Sequence, residues 1–175
     1  MNQIALIPIF ALTFSVVAFG QQPPQSSVTL DGKSITVRYS PEAAAGRKVF
    51  GGAVPFGKPW RVGSGNGTVL HTDADIVFKG AVVPKGDYTI YILPEADKWQ
   101  LIINRVTGAA SQRYDPKQDV GRVAMILGTP PSAVETCKLT LTKTAARAAK
   151  LEVAWANSSA TATFHLDRVA GDTEW

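Results

Sequence analysis

Lys150-Leu151-Glu152-Val153-Ala154-Trp155-Ala156-Asn157-Ser158-Ser159-Ala160-Thr161-Ala162-Thr163-Phe164-His165-Leu166 decides the fold class. Leu151, Val153 and Trp155 alternate with Lys150, Glu152 and Ala154, and Ala162, Phe164 and Leu166 alternate with Thr161, Thr163 and His165. A period of two is the strand period, because successive side chains leave a strand on opposite faces. Each segment therefore carries one apolar and one polar face, and Asn157-Ser158-Ser159 reads as the turn of a hairpin between them.

The same period runs upstream. Ile35, Val37 and Tyr39 alternate with Ser34, Thr36 and Arg38, and Asp31-Gly32 joins this segment to Val28–Leu30 with a two-residue hairpin signal. Cys137, Leu139 and Leu141 share one face of another strand, so the single thiol is expected to be packed, as a small hydrophobe. Tyr88–Leu93, Trp99–Asn104 and Arg122–Leu127 are apolar on both faces and read as central strands. Lys79-Gly80, Pro84-Lys85-Gly86-Asp87 and Pro94-Glu95-Ala96-Asp97-Lys98 punctuate the series. Tyr88 is placed to bond back to its loop through its hydroxyl, in the manner of a tyrosine corner. Thr144–Ala149 is too short for an isolated helix and is expected to be a loop or a single turn. The expectation is an all-β, antiparallel β-sandwich of roughly eight to ten strands with little or no helix.

Ile4–Gly20 is an apolar run of 17 residues followed by a polar stretch, Gln21–Ser27. It is short for a membrane span, and Ala18-Phe19-Gly20 has the small residues of a cleavage site, so residues 1–20 read as a signal peptide cut after Gly20. No Lys or Arg precedes the run, which leaves an uncleaved anchor as the rival. Export to the periplasm or the outside is expected, with no membrane span after cleavage. Residues 21–33 read as a linker and first short strand, 34–168 as one domain, and 169–175 as a tail. With one Cys there is no intramolecular disulfide. The formal charge of +4 is scattered, with no basic helix or arm, and does not point to nucleic acid.

Chemistry concentrates in Gly46–Thr68, where seven glycines, four basic residues and three aromatics occupy 23 positions without an acid. Arg47, Lys48, Trp60, Arg61 and Asn66 are the candidate ligand-binding residues. An Arg fork takes a carboxylate or phosphate, and a Trp face stacks a sugar or a guanidinium. The alternative is a clasp, with Trp60 closing the end of the sandwich and Arg61 tying down loop carbonyls or a carboxylate such as Asp87. Gly63-Ser64-Gly65-Asn66-Gly67 lacks the context of a phosphate loop and reads as a turn. His71, Asp73 and Asp75 point the same way in an extended strand and are weak metal candidates; no metal or other cofactor is expected. A nucleophilic triad lacks raw material, with two histidines and no nucleophile motif.

Four motifs in order carry a resemblance. They are Gly46-Arg47-Lys48-x-Phe50-Gly51-Gly52-x-Val54-Pro55-Phe56-Gly57-Lys58-x-Trp60-Arg61-x-Gly63, Pro84-Lys85-Gly86-Asp87-Tyr88-Thr89-Ile90-Tyr91-x-x-Pro94, Asp97-Lys98-Trp99-x-x-x-Ile103-Asn104, and Tyr114-Asp115-Pro116-Lys117-Gln118-Asp119-Val120-x-Arg122-Val123. Together they resemble the DUF2911 family of exported bacterial proteins of unknown function, over about residues 34 to 166. The resemblance implies export and a β-rich fold and brings no activity. Where that family reads Asn-Glu, this chain has Gly65-Asn66. The functional expectation is non-catalytic binding of a small anionic or saccharide ligand at Gly46–Thr68. A structural or protein-interaction domain of the cell envelope is the alternative, and a hydrolase of envelope polymers the second alternative.

Overall fold

The computed structural model describes residues 23–65 and 67–167. The proposed signal peptide, Asn66 and the tail 169–175 lie outside the described residues. Among the described residues twelve strands follow one another: β1 Gln25–Leu30, β2 Lys33–Arg38, β3 Trp60–Arg61, β4 Val69–Thr72, β5 Ile76–Phe78, β6 Ala81–Val83, β7 Gly86–Pro94, β8 Trp99–Asn104, β9 Asp119–Gly128, β10 Val134–Ala145, β11 Ala148–Ala156 and β12 Ser158–Leu166. Every strand ladder is antiparallel. The fold is the all-β antiparallel sandwich that the alternation predicts. The count exceeds eight to ten because β3, β5 and β6 have only two or three residues. Segments that brief complete too little of a period to be read from sequence.

The two layers are one continuous sheet. Its order is β1-β2-β4-β7-β8-β9-β12-β11-β10, with β3 on β7 and the β5–β6 hairpin on β12. Strand β9 serves both layers, pairing with β8 and with β12. The far edges lie side by side without a ladder: Leu141 N–H donates to Ser26 Oγ at 2.9 Å and Lys143 Nζ to the Thr29 carbonyl at 3.2 Å. The sheet is not closed.

Alternation fills the interior. Leu151, Val153 and Trp155 of β11, Ala162, Phe164 and Leu166 of β12, and Cys137, Leu139 and Leu141 of β10 meet Ile35, Val37, Leu70, Ile90, Leu101 and Ile103 in one apolar cluster. Burial pushes the Cys137 thiol up to about 12, which leaves it inert near neutral pH. Asp31-Gly32 makes the first hairpin, with both residues at positive φ (47° and 72°). The last turn is displaced by one residue. Trp155 pairs with Ser158, so Ala156, the last residue of β11 (φ 52°), and Asn157 make the turn, and Ser158 and Ser159 belong to β12. Ala146-Arg147 turns β10 into β11, and Tyr88 Oη donates to the Pro84 carbonyl at 2.8 Å.

One facing differs from expectation. Strand β9 buries Val123 and Met125 but exposes Ala124, and Ile126 is 72% exposed. Strands β7 and β8 are buried on both faces because a segment covers their outer side; that cover does not reach Ile126.

Candidate functional site

The loop Gly46–Thr68 wraps the end of the sandwich. Val54 N–H donates to the Val49 carbonyl at 2.8 Å, and Gly57 N–H donates to the Pro94 carbonyl at 2.8 Å. Gly63 sits at φ 84°, where a Cβ would lie 2.4 Å from the Ser40 carbonyl oxygen, so no side chain fits there.

The four described candidate residues go to separate places. Arg47 folds back on its own turn: Nε donates to the Ala44 carbonyl at 3.0 Å and Nη2 to the Ala43 carbonyl at 2.9 Å, with Glu42 3.5 Å away. Lys48 is exposed. Trp60 packs against the core, stacked on Trp155 at 5.4 Å between centroids and 22° between planes. Arg61, the next residue on β3, leaves by the outer face. Its Nη1 donates to Ser111 Oγ at 3.2 Å and its Nη2 to the Gly65 carbonyl. Its stem passes so close to Gly67 that a Cβ there would meet Cδ at 2.9 Å. These contacts are the clasp geometry, with the Gly65 carbonyl and Ser111 as partners rather than Asp87.

Arg61 anchors one end of a strap. Residues 105–118 cross the outer face of β7 and β8 and contain two short 3-10 turns, Gly108–Gln112 and Pro116–Gln118. Beneath lie Thr89, Tyr91, Ile102 and Asn104, and the strap's own Ser111 turns inward among them, all at most 2% exposed. Tyr91 Oη donates to the Ser111 carbonyl. Asn104 Nδ2 donates to the Asp115 carbonyl and to Asp119 Oδ1, each at 2.9 Å. At the other end Tyr114 Oη donates to Asp119 Oδ2 at 2.6 Å, and Arg122 Nε donates to the same oxygen at 2.9 Å. Burial, and then the carboxylate of Asp119, push the Tyr114 hydroxyl up to about 12. That group stays protonated near neutral pH and serves as a donor to Asp119. Tyr114–Val123, conspicuous in the sequence as a motif, thus ties down the end of the strap. Its signal was the two-faced apolarity of β7 and β8, which requires a cover.

His71, Asp73 and Asp75 do not form a ligand set. Imidazole Nε2 lies 3.0 Å from Asp73 Oδ1, and Nδ1 lies 2.8 Å from Asp87 Oδ1 on the neighbouring β7. Asp73 also accepts from Ser34 N–H at 3.1 Å, while Asp75 accepts from Lys85 N–H at 2.8 Å. Among the described residues no group of three or more His, Cys, Asp or Glu is placed to hold a metal ion. With a carboxylate on each ring nitrogen, the imidazolium is the favoured form. The hydrogen bonds to Asp87 and then to Asp73 raise the His71 pKa above its usual 6.5, and that to His71 lowers the Asp73 pKa below 3.8. The His71 contribution to stability is therefore complete below pH 6.5 and fades as pH rises through the raised value. Exposure keeps it small. We expect His71→Gln to flatten the stability–pH profile above pH 6.5. Urea midpoints across that range check it; an unchanged slope would show that the clamp does not hold in solution.

One cleft opens at the loop. A cavity of ≈ 100 Å³ lies between Phe50 and Phe56 of the loop, Glu95 and Trp99 of the β7–β8 connection, and Ser158 and Ser159 of β12. Phe50 and Trp99 are packed at 4.3 Å, while the Phe56 ring is 44% exposed. Glu95 is the one charged residue lining it, with Lys98 Nζ 3.0 Å from its carboxylate. The arrangement offers an aromatic face, one carboxylate and two hydroxyls.

Comparison with known families finds one match over residues 22–164, to DUF2911, described as a protein of unknown function. Comparison with curated proteins finds no match, and neither does comparison with solved structures.

Proposed function

The chain belongs to the DUF2911 family, and for this member we propose non-catalytic binding of a small saccharide in the cleft that the Gly46–Thr68 loop forms with the β7–β8 connection. The observation that carries the reading is the half-exposed Phe56 ring facing the same cavity as Glu95, Ser158 and Ser159. Sugar rings stack their C–H faces on aromatics, and their hydroxyls donate to a carboxylate and exchange bonds with serine hydroxyls; at ≈ 100 Å³ the cleft takes one edge of a sugar ring rather than enclosing it. The anionic arm of the sequence expectation has less support at this loop, since Arg47 and Arg61 are engaged with backbone and Ser111, and the cleft itself carries an acid. Hydrolysis by paired carboxylates has less support still, because glycosidases need two flanking acids and Glu95 alone lines this cavity.

A thermal-shift panel of neutral and uronic-acid oligosaccharides tests the proposal. At a hundredfold excess over Kd, a ligand stabilises by about 2.7 kcal/mol. We expect Phe56→Ala to abolish that shift and leave the unliganded melting temperature nearly unchanged. A shift that survives Phe56→Ala would place the ligand elsewhere.

A protein-interaction role in the cell envelope is the second reading. Ile126 is 72% and Leu127 37% exposed, and Leu127 shares the cleft rim with Phe56. Exposed apolar groups of this size mark interaction surfaces when they cluster. Export is part of the proposal and is supported by the Ile4–Gly20 sequence. Mass spectrometry of the protein from an exporting bacterial host should show a chain starting at Gln21; an intact Met1 form in the membrane fraction would make the segment an anchor.

A further inference from the structure

A second depression lies away from the loop, on the outer face of the β12 layer. Alternation that buries Ala162, Phe164 and Leu166 turns Thr163 and His165 outward. The register places Ala148, His165 and Val77 in one row across β11, β12 and β5. Strand β5 pairs with β12 only at Phe164–Leu166 and β9 only at Ser159–Thr161, so β12 lacks a neighbour on that side at Ala162–Thr163. The Lys79-Gly80 turn of the β5–β6 hairpin stands beside this gap. Thr144, at the end of β10, closes the other side. The result is an open depression of ≈ 510 Å³.

Its lining has a consistent sign. Lys79 and His165 supply N–H donors, Thr144 and Thr163 supply hydroxyls, and no acidic residue lines it. This is the reverse of the loop cleft, whose one charged group is a carboxylate. It also differs from the loop cations: Arg47 and Arg61 bond to protein atoms, whereas Lys79 and His165 appear in no ion pair or side-chain hydrogen bond among the described residues. An ammonium, an imidazole and hydroxyls lining one depression without a carboxylate suit an oxyanion. The volume falls in the range of small-molecule sites and exceeds a single inorganic ion. The net charge of +4 favours approach of an anion.

We propose that the Lys79–Thr144–Thr163–His165 depression binds an anionic group, carboxylate or phosphate, carried on a ligand of about disaccharide size. The site is separate from the loop cleft and does not depend on it. The test is amide-resolved NMR titration of the purified protein with inorganic phosphate, digalacturonate and neutral maltose. We expect saturable shifts at Lys79, Gly80, Thr144, Thr163 and His165 with digalacturonate, weaker ones at the same residues with phosphate, and none there with maltose. Lys79→Glu should weaken digalacturonate by about tenfold or more, the scale of one lost charge-assisted bond, and Lys79→Arg should keep it within about threefold. Phosphate shifts without digalacturonate shifts would overturn the ligand size. Shifts scattered over the surface, absent, or unmoved by Lys79→Glu would overturn the site.

Discussion

Trp155→Ala is expected to lower stability by about 3–5 kcal/mol, the range for truncating a fully buried aromatic. Trp155 has no exposed surface. It stacks on Trp60 at 5.4 Å and meets the Phe50 ring edge-on at 6.2 Å, so it ties the Gly46–Thr68 loop to β11. Its indole N–H donates to the Glu135 carbonyl at 3.3 Å. That same carbonyl accepts from Ala44 N–H, and Glu135 Oε1 accepts from Ala45 N–H at 2.7 Å. Removing the indole therefore opens a cavity and loosens two chain segments together. Urea denaturation measures it. A loss below about 1 kcal/mol, no more than an average point mutation costs, would mean that β11 does not face the core as described.

Arg61→Ala is expected to cost about 1.5–3 kcal/mol without any ligand, as hydrogen bonds to charged groups do. The guanidinium joins the Gly65 carbonyl on one side to Ser111 on the other, and its stem packs over Gly67. Loss of these bonds frees the Gly63–Thr68 turn and one end of the strap that buries Tyr91 and Ile102. A variant that melts like the parent would return Arg61 to the pool of ligand-binding cations and revive the anionic reading of the loop. Calorimetry of the apo protein distinguishes the two.

Much of the scaffold was legible in residues alone. The period of two located β2, β10, β11 and β12, because a half-buried strand writes its two faces into alternate positions, and runs apolar on both faces located β7 and β8. Asp31-Gly32 announced its hairpin, because few residue pairs tolerate two positive φ values. Short strands were harder. Trp60-Arg61 is a strand only because β7 offers Ile92 and Tyr91 as partners, and that pairing is remote in sequence.

The chain by itself determined an antiparallel sandwich with Trp155, Phe164 and Cys137 inside, since local alternation and turn chemistry depend on neighbours a few residues away. Only the tertiary structure decided what the polar groups do. It put Asp87 rather than Asp75 on His71, set Trp60 and Arg61 on opposite faces of β3, and brought Phe56 to the same cleft as Glu95, Ser158 and Ser159. Those assignments follow from cross-strand register and from loops that meet at one end of the sheet, and neither is encoded in any single stretch of the chain.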